Sequence, residues 1–341
     1  MRQSPLIASY ADANVPLVDW GDGRVPARFG PVQAEVDATR AGCGLFDLSH
    51  HGVLTLVGQD TRRFGNSQLT NNIRDLAPGE GRHCAITDRK GRMQGVADAW
   101  LLADDALLLV ADGSEAEWLF ERLDIYIIMD PIELTDRSEE LAVLSLQGPG
   151  SQAVCAAIGA PEPAPDQAAW RGGHVLRNDR LGLGGVDLLL PPDAWAEVRS
   201  AALAAGAAPA GIDAFEALRV DAGRPRWPVD MGDRAFIHEI GLVQRLVSFT
   251  KGCYIGQEVI NRMETMGRLT RKLVTLEIDG PGAVGASVQH EGKEVGTVTS
   301  AVRVDDRELG LAILRIAACD PGTTLHLTEG ERAWSATVRG Q

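Results

Sequence analysis

The segment with the clearest chemical potential covers residues 251–258 and reads Lys-Gly-Cys-Tyr-Ile-Gly-Gln-Glu. Its two glycines, four residues apart, favour a tight turn in which the backbone closely approaches a neighbour. Residues 257–263 have a pattern typical of a helix, so Cys253 is expected just before a helix N-terminus. Backbone N–H groups and the helix dipole favour an anion there, either a thiolate or a ligand.

Lys251 adds a positive charge two residues before Cys253, and such a charge lowers the pKa of a nearby thiol. These features together predict a reactive cysteine. The alternative is a buried structural cysteine in a glycine turn, because most cysteines behave as small, inert hydrophobic residues. Local context alone leaves both interpretations open.

The basic character of residues 251–272 is a second feature of this region. The stretch has five basic and two acidic side chains, in a chain whose formal net charge is −14. A basic region in an acidic protein favours an anionic small molecule or partner, and the alternative is a salt-bridged helix face. The overall acidity argues against broad contact with nucleic acid or with an anionic membrane.

Length and cysteine usage limit the class of protein. A chain of 341 residues exceeds the usual size of one hydrophobic core, so two or three domains are expected. The five cysteines are widely spaced and form no C-x-x-C pair, which favours a reducing compartment over a disulfide framework. No signal peptide or membrane span is predicted, so we expect a cytoplasmic protein.

The pattern of predicted elements changes near residue 270. Helices and strands alternate before that point, whereas short β-like runs separated by Gly, Pro and Asp follow it. Their spacing predicts a small all-β domain, either a barrel or a sandwich. The predicted runs are residues 273–278, 295–298, 309–313, 324–327 and 336–338.

Segment 251–258 resembles the K-G-C-Y-x-G-Q-E signature of the YgfZ-type folate-binding family, which is related to the glycine-cleavage aminomethyltransferases. Other segments resemble aminomethyltransferases, and together they cover nearly the whole chain in order. These are residues 45–50 (L-F-D-L-S-H), 219–223 (R-V-D-A-G), 230–231 (D-M), 239–242 (E-I-G-L) and 296–300 (G-T-V-T-S).

The resemblance implies a multi-domain, ring-like α+β fold with a central tetrahydrofolate pocket and a C-terminal β-barrel. We expect a folate-binding region over residues 1–270 and the barrel over residues 271–341. The folate-binding region is expected to contain two interleaved subdomains, one from roughly residues 1–50 with 140–270 and one from 51–139.

The resemblance also suggests roles for individual residues. A reduced pterin presents an amino group and a ring N–H that one carboxylate can accept together, and Glu239 is the first choice for this carboxylate, with Asp221 second. Arginine binds the tail carboxylates of folate bidentately, and Arg262 and Arg268 rank above Arg245. In segment 251–258, Cys253 and Lys251 are assigned as catalytic residues and Tyr254 as a cofactor-binding residue. The other assigned positions belong to the motif without a separate role, and they are Gly252, Gly256, Gln257 and Glu258. No metal site is assigned.

The function implied by the resemblance is that of a tetrahydrofolate-binding factor for the assembly or repair of iron–sulfur proteins, with an indirect link to tRNA modification. Its partners are expected to be folate and iron–sulfur client or assembly proteins, with no direct nucleic acid and no membrane. The alternative is a tetrahydrofolate-dependent aminomethyl or methyl transferase, so enzymatic one-carbon transfer stays open.

One departure from the aminomethyltransferase pattern bears on that alternative. Glycine-cleavage enzymes carry G-G-x-x-D-D, and the matching stretch here has Gly95 and Val96 at the two acidic positions. Asp98 is displaced from the first of them by three residues, which predicts the opposite face of a strand. We therefore expect no positioned carboxylate in the pocket, and little aminomethyl transfer.

Overall fold

The chain is described from a computed structural model. The structure describes residues 2–21, 23–111, 116–232 and 235–340. The sequence predicts a capping box of Ser114 and Glu117 at the start of a helix, and Ser114 lies outside the described residues. No helix within these ranges is long and apolar enough to cross a membrane.

The helices are short, and they lie between strands throughout the first 270 residues. Helix α9 begins at Gln257, where the sequence predicts it, and continues three residues beyond the expected end. The α-helices of the described chain are α1 Ile7–Asp12, α2 Val32–Ala41, α3 Thr61–Gln68, α4 Ala116–Asp124, α5 Ser151–Ala157, α6 Trp195–Ala204, α7 Ile212–Asp221, α8 Val243–Leu246 and α9 Gln257–Met266.

More of the described residues lie in strands than in helices. The described strands are β1 Arg2–Gln3, β2 Leu17–Trp20, β3 Gly23–Pro26, β4 Gly44–Asp47, β5 Gly52–Gly58, β6 Gly81–Thr87, β7 Met93–Ala103, β8 Ala106–Ala111, β9 Ile132–Asp136, β10 Ala142–Gln147, β11 Gln167–Trp170, β12 Gly173–Arg177, β13 Gly185–Leu190, β14 Ala208–Ala210, β15 Arg271–Asp279, β16 Ser287–His290, β17 Lys293–Val304, β18 Arg307–Arg315, β19 Thr324–Glu329 and β20 Arg332–Val338.

These strands are arranged in three open sheets and one closed barrel. The small sheet has the order β1-β3-β2, the six-stranded sheet β11-β12-β13-β10-β4-β14, and the five-stranded sheet β6-β7-β8-β5-β9. The barrel closes in the order β15-β18-β17-β16-β19-β20. The predicted α+β class with a C-terminal barrel is therefore confirmed.

The β6–β7 hairpin is the element that matters most for the site. Its strands are antiparallel and joined by a turn in which Gly91 has a φ of +72°. Along β7, side chains at odd positions from 93 to 99 are buried, whereas those at 94, 96 and 98 are only half-buried. The half-buried face is directed toward the centre of the molecule, and it forms part of the wall of a cavity.

Ion pairs connect the barrel to helices α2 and α7. The β17–β18 hairpin turns at Asp305 and Asp306, which both have positive φ, as a two-residue hairpin turn requires. Arg40 of α2 donates to both carboxylate oxygens of Asp305 at 2.9 Å, and its other terminal nitrogen pairs with Asp221 at 2.8 Å. Arg339, after the last barrel strand, also pairs with Asp221 at 3.0 Å.

One hydrophobic core lies between these units. It brings together Phe46 of the six-stranded sheet, Trp100 of the five-stranded sheet, Phe215 of α7 and Leu309 of the barrel. Because each of the large units contributes buried side chains to one cluster, burial of apolar area holds the parts together around the centre.

Candidate functional site

A cavity of about 110 Å³ lies where the β6–β7 hairpin, the segment after β12, helix α7 and helix α8 meet. Its walls combine apolar surface, from side chains such as Phe215 and Leu242, with charged groups. Arginines dominate the lining, accompanied by His83, Asp98 and Asn178. The arginines are Arg180, Arg219, Arg224, Arg226 and Arg245.

His83 and Asp98 form a close pair in the wall of this cavity. They are directly opposite each other in the register of β6 and β7, the arrangement in which cross-strand side chains interact. Nδ1 of His83 contacts Oδ1 of Asp98, and Asn178 donates to the other carboxylate oxygen at 2.8 Å. Burial raises the pKa of Asp98, but the hydrogen bond from His83 and the nearby positive charges of Arg180 and Arg245 outweigh it and hold that pKa well below its usual range.

The protonation of the His83 ring follows from its two neighbours. Nη2 of Arg245 lies 2.9 Å from Nε2 of His83. Since a guanidinium group can only donate hydrogen bonds, Nε2 is the acceptor and the ring proton is on Nδ1. That proton is donated to Asp98. The pair therefore has the base–orienter arrangement in which a carboxylate fixes the tautomer of an imidazole.

The expectation that no carboxylate reaches the pocket is wrong. A Cβ added to Gly95 would lie 2.9 Å from the Trp118 side chain, so residue 95 faces the hydrophobic core, whereas Val96 and Asp98 both line the cavity. The expectation assumed that residue 95 faces the pocket. Side chains alternate along a strand, so Asp98, two residues after Val96, lies on the same face as Val96.

The sequence contained a signal that would have found this pair. The segment His83–Asp98 reads as two strands joined by a turn around Gly91, and pairing outward from such a turn brings residues 83 and 98 opposite each other. Neither residue belongs to the motif at residues 251–258, which is why the motif gave no indication of them.

Most of the cavity arginines have carboxylate partners. Arg219 makes a further hydrogen bond, in which it donates to the Ser300 hydroxyl of the barrel at 2.8 Å. The pairs are Arg180–Asp187 at 2.7 Å, Arg219–Asp230 at 2.7 Å, Arg224–Asp179 at 3.6 Å and Arg226–Glu216 at 3.1 Å. Arg245 differs, because no described carboxylate lies within ion-pair distance of it; its hydrogen-bond partners are the His83 ring and the Asp179 carbonyl at 3.4 Å.

Asn178 supplies an acceptor to the cavity. Its Nδ2 donates to Asp98 and, at 2.9 Å, to Asp187, which fixes the orientation of the amide. Its Oδ1 has no hydrogen-bond partner among the described residues, although the side chain is almost completely buried. A buried acceptor of this kind is costly to leave without a donor. Asn178 Oδ1 therefore offers a place for an N–H or O–H group of a bound molecule or of water.

Two larger depressions adjoin the central cavity. A groove of about 1,070 Å³ beside the barrel shares Arg226 with it, and a cleft of about 230 Å³ shares His83. A molecule longer than the cavity can therefore extend beyond either side chain.

The motif at residues 251–258 lies outside the lining of this cavity. The Lys251 ammonium group is buried and donates to three backbone carbonyls at the end of α3, those of Asn66 at 2.6 Å, Leu69 at 2.5 Å and Asn71 at 2.7 Å. Burial lowers the pKa of Lys251 to about 8. These contacts fasten the motif to the five-stranded subdomain and direct the ammonium group into α3.

Gly256 and Tyr254 fix the rest of the motif. Gly256 caps α9 with a φ of +89°, and a Cβ there would lie 2.5 Å from the carbonyl oxygen of Asp88 in the β6–β7 turn. Only glycine suits both this conformation and this approach. The Tyr254 ring is buried and lies 4.8 Å from the Lys251 ammonium. Burial raises the pKa of its hydroxyl to about 12.

Cys253 is the one exposed cysteine of the five. It lies three residues before the cap of α9, in a loop held from both sides by Lys251 and Gly256. Burial raises the pKa of the thiols of Cys43, Cys84 and Cys155 to about 12. Because a thiolate is the reactive form, exposure sets Cys253 apart.

The other residues expected to bind folate are not in the cavity lining. Glu239 is buried and accepts from Arg271 at 3.1 and 3.0 Å, which ties it to the start of the barrel. Asp221 takes part in the ion pairs between α2, α7 and the barrel. Arg262 pairs with Glu258 at 2.7 Å on the exposed face of α9, and Arg268 is exposed just after that helix. Their assignment to folate stays a prediction.

Two known families match separate regions of the chain. Residues 7–171 match the family described as the GCVT N-terminal domain. Residues 270–339 match the CAF17 C-terminal β-barrel domain. The region that matches the GCVT model contains His83 and Asp98, whereas Asn178, Arg245 and Cys253 lie between the two matched regions.

Known proteins of similar length share this organisation. The crystal structure of the glycine cleavage system aminomethyltransferase T from Bartonella henselae matches with a TM-score of 0.89 at 22% identity, over 99% of this chain and 97% of that chain. The predicted aminomethyltransferase fold is thus confirmed. An aminomethyltransferase of Herpetosiphon aurantiacus is 27% identical over 99% of this chain and 97% of its own length. An aminomethyltransferase of Geobacillus kaustophilus is 29% identical over 92% and 91%.

Proposed function

We propose that this protein binds tetrahydrofolate in the central cavity and supports the assembly or repair of iron–sulfur proteins through Cys253. The observation that carries the proposal is the exposed thiol at the centre of segment 251–258, in a chain whose other cysteines are wholly or partly buried. A thiolate is a ligand for iron and the group that exchanges with other thiols. An exposed one held on a rigid loop is available to a client protein.

The cavity residues fit a reduced folate in chemical type. Oδ1 of Asn178 and the carboxylate of Asp98 are acceptors for the amino and ring N–H groups of a pterin, and the arginines suit oxo and carboxylate groups. The volume of about 110 Å³ is below the ~300–1,000 Å³ usual for small-molecule sites. We therefore expect the cavity to enclose one end of the ligand and the rest of the ligand to extend into an adjoining depression.

When bound, tetrahydrofolate supplies nitrogens that can carry a one-carbon unit. The chain contributes orientation through Asn178 and Asp98, and a fixed imidazole through His83. The residues that hold a ligand and the thiol that meets a client then lie on separate parts of the molecule. Such a separation suits a protein in which folate binding and the action of Cys253 are distinct steps.

A second candidate function is tetrahydrofolate-dependent aminomethyl or methyl transfer. The His83–Asp98 pair favours it, because it places an imidazole oriented by a carboxylate in the wall of the cavity. Relatives named aminomethyltransferase support the same candidate. This candidate requires chemistry at the cavity and gives Cys253 no role.

Two measurements separate these candidates. Titration calorimetry with tetrahydrofolate tests binding, and absence of binding at millimolar ligand would contradict both. Cells lacking the native factor then receive the wild type, Cys253→Ser or the control Cys319→Ser, and an iron–sulfur enzyme is assayed. We expect only Cys253→Ser to fail. Full complementation by Cys253→Ser, together with methylene-tetrahydrofolate formation from an aminomethylated lipoyl carrier, would establish the transferase instead.

A further inference from the structure

We propose that Arg245 is a carboxylate-binding residue of the central cavity and that the His83–Asp98 pair positions its guanidinium group. The inference deepens the proposed function, on which it rests in part, because the glutamate tail of tetrahydrofolate is one source of the carboxylate. The other source is a small carboxylic acid bound beside the folate ring. Both present the same planar anion to the arginine.

The first argument is charge. Four of the five cavity arginines are within 3.6 Å of a carboxylate, and those carboxylates are Asp187, Asp230, Asp179 and Glu216. Arg245 has no such partner among the described residues. Its charge faces Asp98 only across the imidazole of His83. A partly buried guanidinium without a carboxylate favours an anionic ligand, and its fork matches a carboxylate bidentately.

The second argument is position. Arg245 is on α8, and one of its two terminal nitrogens is already committed to the His83 ring and to the Asp179 carbonyl. These contacts hold the plane of the guanidinium beside the cavity and leave the N–H groups of the other terminal nitrogen for a ligand. A long side chain fixed in this way loses less conformational freedom on binding.

The third argument concerns what anchors His83. Its Nε2 can accept from Arg245 only while the ring proton is on Nδ1, and Asp98 is the group that keeps it there. Asn178 in turn donates to Asp98, and Arg180 lies 3.9 Å from the same carboxylate oxygen. Asp98 and His83 are therefore positioning residues, which act on the ligand through Arg245.

The test uses three probes on the full-length protein: tetrahydrofolate, 6-methyltetrahydropterin, which has the ring but no carboxylate, and acetate. Each is titrated into the wild type, Arg245→Gln, Arg245→Lys and the control Arg171→Gln, which removes an exposed arginine paired with Glu197 at 2.9 Å. If the tail binds at Arg245, Arg245→Gln should weaken tetrahydrofolate by roughly tenfold or more and leave the pterin unchanged. Arg245→Lys should recover only part of the loss, because lysine has no fork.

The remaining outcomes are equally specific. Loss of acetate binding alone in Arg245→Gln supports a separate carboxylic acid as the ligand. Arg245-dependent acetate binding by a wild type that binds neither folate nor pterin contradicts the folate proposal but supports the subsite. Unchanged binding of all three probes, or an equal loss of folate and pterin, would overturn the inference. So would a selective loss of tetrahydrofolate binding in Arg262→Gln that Arg245→Gln does not show.

The positioning role has its own readout. ¹⁵N NMR of His83 should show the proton on Nδ1 in the wild type and its movement toward Nε2 in Asp98→Asn, with carboxylate affinity falling in parallel. An unchanged tautomer, or a changed tautomer with unchanged carboxylate affinity, would refute the positioning role.

Discussion

Alkylation of the folded protein should separate Cys253 from the buried cysteines by about three orders of magnitude in rate. The buried thiols of Cys43, Cys84 and Cys155 have their pKa raised to about 12. At pH 8, roughly one such thiol in ten thousand is a thiolate, whereas about a quarter of the same thiols would be ionised in the unfolded protein, where the ordinary pKa is about 8.5. The ratio is about two thousand, and burial adds a steric barrier in the same direction.

The assay is timed reaction with iodoacetamide at pH 8, followed by digestion and mass spectrometry of each cysteine peptide. The protein unfolded in urea is the reference, in which all five thiols should react at similar rates. Cys253→Ser should lose the fast phase and keep the slow ones. Labelling of Cys43, Cys84 or Cys155 within about tenfold of the Cys253 rate in the folded state would refute the reasoning.

Further substitutions test the structural roles of charged residues. Asp230→Ala should lower the free energy of unfolding in urea by about 1–3 kcal/mol, because Arg219 keeps its pair with Glu216 but the Ser300 hydroxyl and one Arg219 nitrogen lose their buried acceptor; an unchanged free energy of unfolding would contradict this. Lys251→Met should lower it by about 1–3 kcal/mol, since three carbonyls at the end of α3 lose their donor; an unchanged urea midpoint would contradict this. Glu239→Gln should reduce thermal stability but leave tetrahydrofolate affinity unchanged in calorimetry, because Glu239 holds Arg271; selective loss of affinity would restore Glu239 as a ligand. The depressed pKa of Asp98 gives stability that is present above its unfolded pKa of about 3.9 and lost as the pH falls toward the folded value. Urea unfolding at about pH 5 and pH 3 should therefore show a larger loss for the wild type than for Asp98→Asn.

The sequence predicted the features that depend on local pattern. The barrel followed from short β-like runs after residue 270, and the start of α9 at Gln257 followed from the glycine before it. The exposure of Cys253 agrees with the interpretation of a reactive cysteine, although its chemistry stays a prediction. In each case the deciding information lies within a few neighbouring residues.

Features that depend on where a long side chain points could not be predicted. Lys251 is two residues from Cys253, but its ammonium group reaches the carbonyls of α3, more than 180 residues away in sequence. Asp98 was expected to face away from the pocket because the face of residue 95 was taken to line it, whereas the cavity is lined by the opposite face of the strand. Arg245 ranked below Arg262 and Arg268 in the sequence, because what distinguishes it is the lack of a carboxylate partner that the four other cavity arginines have.

The contact between Arg219 and Ser300 sets an order of events during synthesis of the chain. Arg219 lines the cavity, and its guanidinium group donates to a barrel hydroxyl 81 residues further along the chain. Asp230, which accepts from that arginine, also accepts from Ser300 at 2.8 Å. While residue 300 is still inside the ribosome, this wall of the cavity lacks its support. The hydrogen bonds around Arg219 and Asp230 are thus complete only once Ser300 is in place, so this part of the wall depends on the C-terminal barrel.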